Sequence, residues 1–172
     1  MKIRSITSFY DPCLPQAANT LHNLAEFTRI AADRLGDLGY EIQTARLATT
    51  PFCTWDGDWL DRACDLEKQT LSAGFQYLSI GPADLEHLPA YQVIPDFLST
   101  APSLFATGML TDSQGNISLP AVRACAEVMV KNAAVTPDGF TNLRFAALAN
   151  VPAFTPFLPA AYHQLGESPS CA

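Results

Sequence analysis

Apolar residues recur along this chain with two periods, one of two residues and one of three to four, and the alternation between them lays out the elements. Residues 2–10 set Ile3 and, after a change of register, Ile6 and Phe9 among Thr and Ser, which predicts a strand ending near Tyr10. Asp11 and Pro12 read as a helix entrance: the carboxylate accepts from an early amide, and the proline sits where a missing N–H costs nothing. One helical face follows, from Leu14 through Leu21, Leu24 and Thr28 to Leu38, and Gly39 stops it. A second strand is predicted over 40–48, ending at Thr49, Thr50 and Pro51. A helix over about 57–73 presents Leu60, Ala63, Cys64, Glu67 and Leu71, with Asp56 or Asp58 as its cap. Strands over 75–80 and 103–110 come next, separated by a thinner pattern in which Pro95 interrupts a short helical piece containing Tyr91, Ile94 and Leu98. Pro120 opens a helix whose buried face is predicted as Val122, Cys125, Ala126, Met129, Val130 and Ala133, and the fifth strand covers 143–150.

Helices long enough for crossovers separate the strands, so the predicted fold class is α/β with five mutually parallel strands. Ligand sites in such sheets lie beyond the carboxyl ends of the strands, which here carry Tyr10 and Asp11, Thr49 and Thr50, Ser79 and Gly81, Gly108 and Met109, and Asn150. After Asn150 the chain enters a loop holding Pro152, Pro156 and Pro159 and rich in apolar residues, ending at Tyr162 and His163. Such a loop needs a surface to bury against, and nothing later in the chain supplies one. Phe154, Phe157 and Leu158 are therefore expected to be exposed, beside an uncovered sheet face.

Composition narrows the classes. The chain has 172 residues, 48% of them hydrophobic and 16% charged, which suits one folded unit and excludes disorder. A net charge of −7 with no Lys/Arg-rich run argues against a nucleic-acid or anionic-membrane surface. The uncharged stretch 145–163 is too interrupted by Asn150 and its prolines to span a bilayer, and the alternating N-terminus reads as a strand, not a signal peptide. Five cysteines, an odd number without metal-knuckle spacing, suit a reducing cytoplasm. No glycine-rich phosphate motif is present, and no residue is assigned to a cofactor or a metal; Asp56 and Asp58 lack the glutamate that would complete a calcium loop.

Four residues stand out as candidates for chemistry. His163 is either an acid, base or anion ligand, or the histidine that closes a loop. Asp11 is either a helix cap or a carboxylate directed into the site. Cys13, at an expected helix start, is either a nucleophile favoured by the helix dipole or a small packed residue. Asn150 both donates and accepts, and so can orient a carbonyl or carboxylate. His22 and His87 read as solvated, Cys64 and Cys125 as packing, and Cys53 points nowhere in particular.

The opening Met1-Lys2-Ile3-Arg4-Ser5-Ile6-Thr7, the strand end Tyr77-Leu78-Ser79-Ile80-Gly81-Pro82, and above all Phe145-Ala146-Ala147-Leu148-Ala149-Asn150-Val151-Pro152 followed by Pro156-Phe157-Leu158-Pro159-Ala160-Ala161-Tyr162-His163 resemble the N-terminal part of the family known as domain of unknown function 711, also called uncharacterised protein family 0210. The resemblance implies a fold like that of glycyl-radical enzymes related to pyruvate formate-lyase, a ten-stranded α/β barrel of two five-stranded parallel halves, of which this chain is one half. It carries over no radical glycine and no catalytic cysteine. Family members continue beyond the Ser168-Pro169-Ser170-Cys171-Ala172 end, so self-association or a missing C-terminal half is expected. Three functions compete: an enzyme acting on a small metabolite, a non-catalytic metabolite-binding or regulatory protein, and an inactive N-terminal fragment. An enzyme needs a reactive group with a shifted pKa in a cavity that excludes water, whereas a binder needs only shape and hydrogen-bond donors.

Overall fold

The structure, a computed structural model, describes residues 1–172. Its strands are β1 (Lys2–Ile3), β2 (Ile6–Tyr10), β3 (Glu41–Ile42), β4 (Ala45–Pro51), β5 (Tyr77–Gly81), β6 (Leu104–Met109), β7 (Phe145–Leu148) and β8 (Ser170–Cys171). Its helices are α1 (Ala17–Asp37), α2 (Trp59–Ser72), α3 (Ile94–Thr100) and α4 (Leu119–Ala133). The main sheet runs β7-β6-β5-β4-β2-β8; the first five are parallel, and β8 pairs antiparallel with β2. Each of the five predicted strands is present. The first two are each broken in the middle, so that β1 and β3 form a short parallel pair continuing β2 and β4. The sheet is open and does not close into a barrel.

The five parallel strands lie in chain order without reversal. Right-handed crossovers that always step in one direction put every helix on the same face of the sheet. One continuous core results, in which Leu21 and Leu24 of α1, Ala63 and Leu66 of α2, Phe97 of α3 and Val128 of α4 pack on Tyr10, Leu47, Leu78, Leu104 and Phe145. Gly108 is required here, because a Cβ would lie 2.5 Å from the Tyr91 ring, whose hydroxyl donates to the Met109 carbonyl at 2.6 Å. Arg144 ties the end of α3 to β6, its guanidinium donating to the carbonyls of Leu98, Ala101 and Leu104.

The opposite face has no helix, and the segment after Asn150 folds back over part of it. Phe9, Ala48 and Ala161 are fully buried together, with Phe154 and Leu158 half-buried against them and the Phe154 ring edge-on to Phe9 at 5.6 Å. Thr7 donates to the Pro156 carbonyl at 2.8 Å, and the Ser79 hydroxyl lies 2.8 Å from the Ala161 carbonyl and 3.0 Å from that of Pro159. This corrects the expectation that the loop lacks a surface of its own: it docks on the strands' second face, and of the three residues expected to be exposed only Phe157 is, at 68%.

Three helix expectations also change. α1 begins at Ala17 without a side-chain cap, because Asp11 is engaged with Cys13 and Thr50 and residues 12–16 form turns. Pro95 opens α3 and does not interrupt it, since the first turn needs no N–H from that position. α4 is rotated from its predicted phase: Ala121, Cys125, Val128 and Asn132 are buried, while Val122, Met129 and Val130 face outward, Val130 at 73% exposure. Apolar residues surround most of α4, so periodicity alone did not single out its inner face.

If the 151–163 segment is part of the folded core, Ser79→Ala should lower global stability by about 1 kcal/mol, since two loop carbonyls lose their donor. Urea unfolding checks this; unchanged stability would mean that the segment detaches independently.

Candidate functional site

The carboxyl ends of β2 and β4 carry the densest polar cluster, and a backbone irregularity sets it up. The β4–β5 register shifts between Ala48 and Pro51, so Thr49 and Thr50 are skipped in the pairing with β5, while Thr49 stays paired with Tyr10 of β2. Gly81 permits this, because a Cβ there would lie 2.4 Å from the Thr50 carbonyl carbon and the Pro51 nitrogen. The Gly81 amide then donates to Thr49 Oγ1 at 3.2 Å. Thr50 Oγ1 donates to Asp11 Oδ1 at 3.2 Å, and the Cys13 amide donates to the same oxygen at 2.9 Å. Asp11 is thus a nearly buried, oriented carboxylate with both hydrogen bonds on one oxygen.

His163 reaches the same place from the covering segment. Its amide donates to the Thr49 carbonyl at 2.9 Å, its ring stands edge-on to Phe154 at 5.2 Å, and its side chain is fully buried. Nε2 lies 3.2 Å from the Glu167 carbonyl, which can only accept, so Nε2 carries the proton. Nδ1 therefore keeps a lone pair, and no group in the protein donates to it. Burial pushes the His163 pKa below its ordinary 6.5, while the Glu167 carbonyl and the charge of Asp11 oppose the shift. A buried, neutral imidazole with an unused acceptor, close enough to Asp11 to feel its charge, can take a proton or accept a hydrogen bond.

Cys13 lies on the exposed rim near these groups, 3.7 Å from a guanidinium nitrogen of Arg62. Burial raises its pKa, and Arg62 pulls it back only in part. Because α1 starts four residues later, no helix dipole acts directly on the thiol. A cavity of about 220 Å³ adjoins it, lined among others by Tyr10, Pro12, Trp55 and Arg62. Asn150 stands elsewhere, at the end of β7 on the far side of β5 and β6. Its backbone is left-handed, with φ of 54°, its amide donates to Thr111 Oγ1 at 3.0 Å, and its side chain lies against Gly115. The structure brings Asp11, Cys13 and His163 to one end of the rim and leaves Asn150 at the other. Thr49, Thr50 and Arg62 complete the cluster; the Thr-Thr pair ahead of a proline was the available signal, and Arg62 looked like any solvated helix residue.

A cleft of about 910 Å³ lies away from this cluster, between α1 and α2 near the starts of β4 and β5. His22, Glu26 and Arg29 line it from α1 and Gln69 from α2, and no buried polar group there is left without a partner. No helix of the structure is long and apolar enough to cross a membrane.

A family model described as uncharacterised ACR (DUF711) matches residues 1–172. The chain belongs to this family. Among DUF711 relatives, a UPF0210 protein of Pyrobaculum islandicum is 27% identical over 160 residues, covering 86% of this chain and 35% of the relative. A UPF0210 protein of Acetivibrio thermocellus is 24% identical with the same coverages. One of Methanopyrus kandleri is 35% identical over 78 residues, 45% of this chain and 17% of the relative. The chain thus spans about a third of the length of the first two of these relatives.

The His163 environment predicts a pH dependence. Its folded pKa is depressed, so the unfolded chain binds the extra proton first as pH falls below about 6.5, and stability present above that value is lost as pH falls through the folded pKa. Denaturant unfolding between pH 7.5 and pH 5, roughly the range in which histidines titrate, should show this loss in the wild type and a shallower one in His163→Gln. Identical slopes for the two proteins would mean that the imidazole is not held neutral.

Proposed function

We propose that this DUF711 chain supplies a small-molecule site at the carboxyl ends of β2 and β4, with His163 as proton acceptor and Asp11 as the fixed carboxylate that orients the ligand. One observation carries the reading: Nδ1 of a fully buried His163 has no donor. Leaving such an atom unpaired costs about 1–3 kcal/mol, and native structures seldom leave one without a reason. A ligand hydroxyl or amine would supply the missing donor. In an enzyme the same lone pair would accept the proton during reaction, whereas in a binding protein it would only accept the hydrogen bond. Because His163 is fully buried at the end of the 151–163 segment, ligand entry requires that segment to shift, as loops over active sites commonly do.

A second reading has its own support. Thr7 and Ser79 hold the segment to the sheet, which is what a purely structural cover needs. The two readings separate in a thermal-shift screen of small hydroxy acids, amino acids and amines, followed by titration of any hit into variants. On the site reading, His163→Gln and Asp11→Asn each weaken binding at least tenfold, about 1.4 kcal/mol, in protein that still folds cooperatively. Equal affinity for wild type and both variants would leave only the cover. Turnover of a bound hit would then make the protein an enzyme, and binding without turnover would make it a carrier or regulator.

The expected association is proposed for the α4–β7 side. β7 has an unpaired edge, and Val122, Met129, Val130 and Leu143 are exposed around it. The additional length of the relatives supports further chain as its usual cover. The 172-residue chain alone should therefore self-associate in light scattering, and Val130→Lys should reduce it. A wild type that stays monomeric at high concentration would contradict this.

A further inference from the structure

Beyond the carboxyl ends of β4 and β5, Cys53, Asp84 and His87 converge from two separate loops, and their Sγ, carboxylate and ring-nitrogen atoms all lie within 4.8 Å of one another. We propose that these three side chains bind a zinc ion, with the fourth coordination position open to water. None of the three belongs to the His163 cluster, so the inference stands apart from the function proposed above.

The geometry comes from neighbouring strand ends. Cys53 sits in the single 3-10 turn Phe52–Thr54 that follows β4, and Asp84 lies three residues past the end of β5, just before the 3-10 turn Leu88–Val93. Cys53 is buried, and its thiol lies 3.8 Å from the Pro82 carbonyl. Asp84 Oδ1 accepts from the amides of Glu86 and His87 at 3.0 and 2.9 Å and lies 2.8 Å from His87 Nδ1. All three contacts fall on one oxygen, so the carboxylate is locked in orientation while Oδ2 is left for a ligand. The His87 side chain is 47% exposed, which gives an ion a path from solvent.

Zinc bond lengths of about 2.0–2.2 Å to nitrogen and oxygen and about 2.3 Å to sulfur place tetrahedral ligand atoms roughly 3.3–3.6 Å apart. The trio would reach that spacing by side-chain rotation: His87 Nδ1, which donates to Asp84 without metal, gives up its proton to solvent and binds the ion, while the neutral ring takes a proton from solvent on Nε2. Cys53 would bind as thiolate, its proton passing to water. Sulfur together with imidazole selects zinc over magnesium and calcium, which take all-oxygen shells. Three protein ligands and one open position is the arrangement of reactive zinc sites, whereas purely structural ones are closed by a fourth protein ligand.

Cobalt(II) titration of the chelator-treated protein tests this, because a tetrahedral thiolate complex absorbs strongly and free cobalt does not. The expected result is uptake of one equivalent with sulfur-to-cobalt charge-transfer absorption, bleached by one equivalent of zinc. His87→Ala, at a half-exposed position where folding should survive, weakens uptake at least tenfold, and Cys53→Ser removes the charge-transfer band. Cys13→Ser leaves both unchanged, which excludes the exposed thiol as the ligand. Absence of the band in the unsubstituted protein, or a band that persists undiminished in His87→Ala, overturns the proposal.

Discussion

A parallel sheet whose strands follow chain order has all its crossover helices on one face, and the structure depends on how the other face is covered. The 151–163 segment covers it over β2, β4 and β5, and its composition suits that position. Proline has no N–H, so a proline-rich segment laid on a sheet brings few donors that need satisfying and mainly carbonyls that need donors. Thr7 and Ser79 supply those donors to Pro156, Pro159 and Ala161. Phe9 and Ala48 supply the apolar floor on which Phe154 and Ala161 rest. The polar and small residues on this face of β2, β4 and β5 are therefore the docking surface for one particular segment.

The same docking produces the candidate site. The segment ends with His163, whose amide is held by the Thr49 carbonyl where the β4–β5 register shifts. The close backbone approach at Gly81 allows that shift, and Thr50 fixes Asp11. Cover and cluster are thus linked through β4: His163 is held by the Thr49 carbonyl and Asp11 by the neighbouring Thr50 hydroxyl. A low-dielectric enclosure strengthens every interaction within it and raises the cost of the unpaired Nδ1.

Much of this was legible in the sequence, for identifiable reasons. Strand positions followed from period-two patterns and helix positions from period-four ones, and these survive because burial enforces them. Asp58 caps α2 as its place before the helix suggests, accepting from the amides of Leu60 and Asp61. Asp11 misled because capping and ligating aspartates look alike in sequence; its carboxylate turned instead to Cys13 and to Thr50, a residue 39 positions away. The α4 phase failed because Val122, Met129 and Val130 are as apolar as the residues that pack. Asn150 carries a left-handed turn, a backbone demand that glycine meets as readily, so its identity alone did not separate turn from site. Cys53, Asp84 and His87 leave no trace at sequence level, because no spacing rule links loops that only the sheet brings together.

Hydrogen exchange at the His163 amide tests the covering role most directly. That amide donates to the Thr49 carbonyl across the interface between segment and sheet. A segment that is part of the core, opening only rarely, gives His163 protection close to that of the buried strand amides of β4 and β5, lost with them as denaturant rises. Exchange as fast as an unprotected loop, with β4 and β5 still protected, would contradict the account, since the second face of the sheet would then stand open in the native protein.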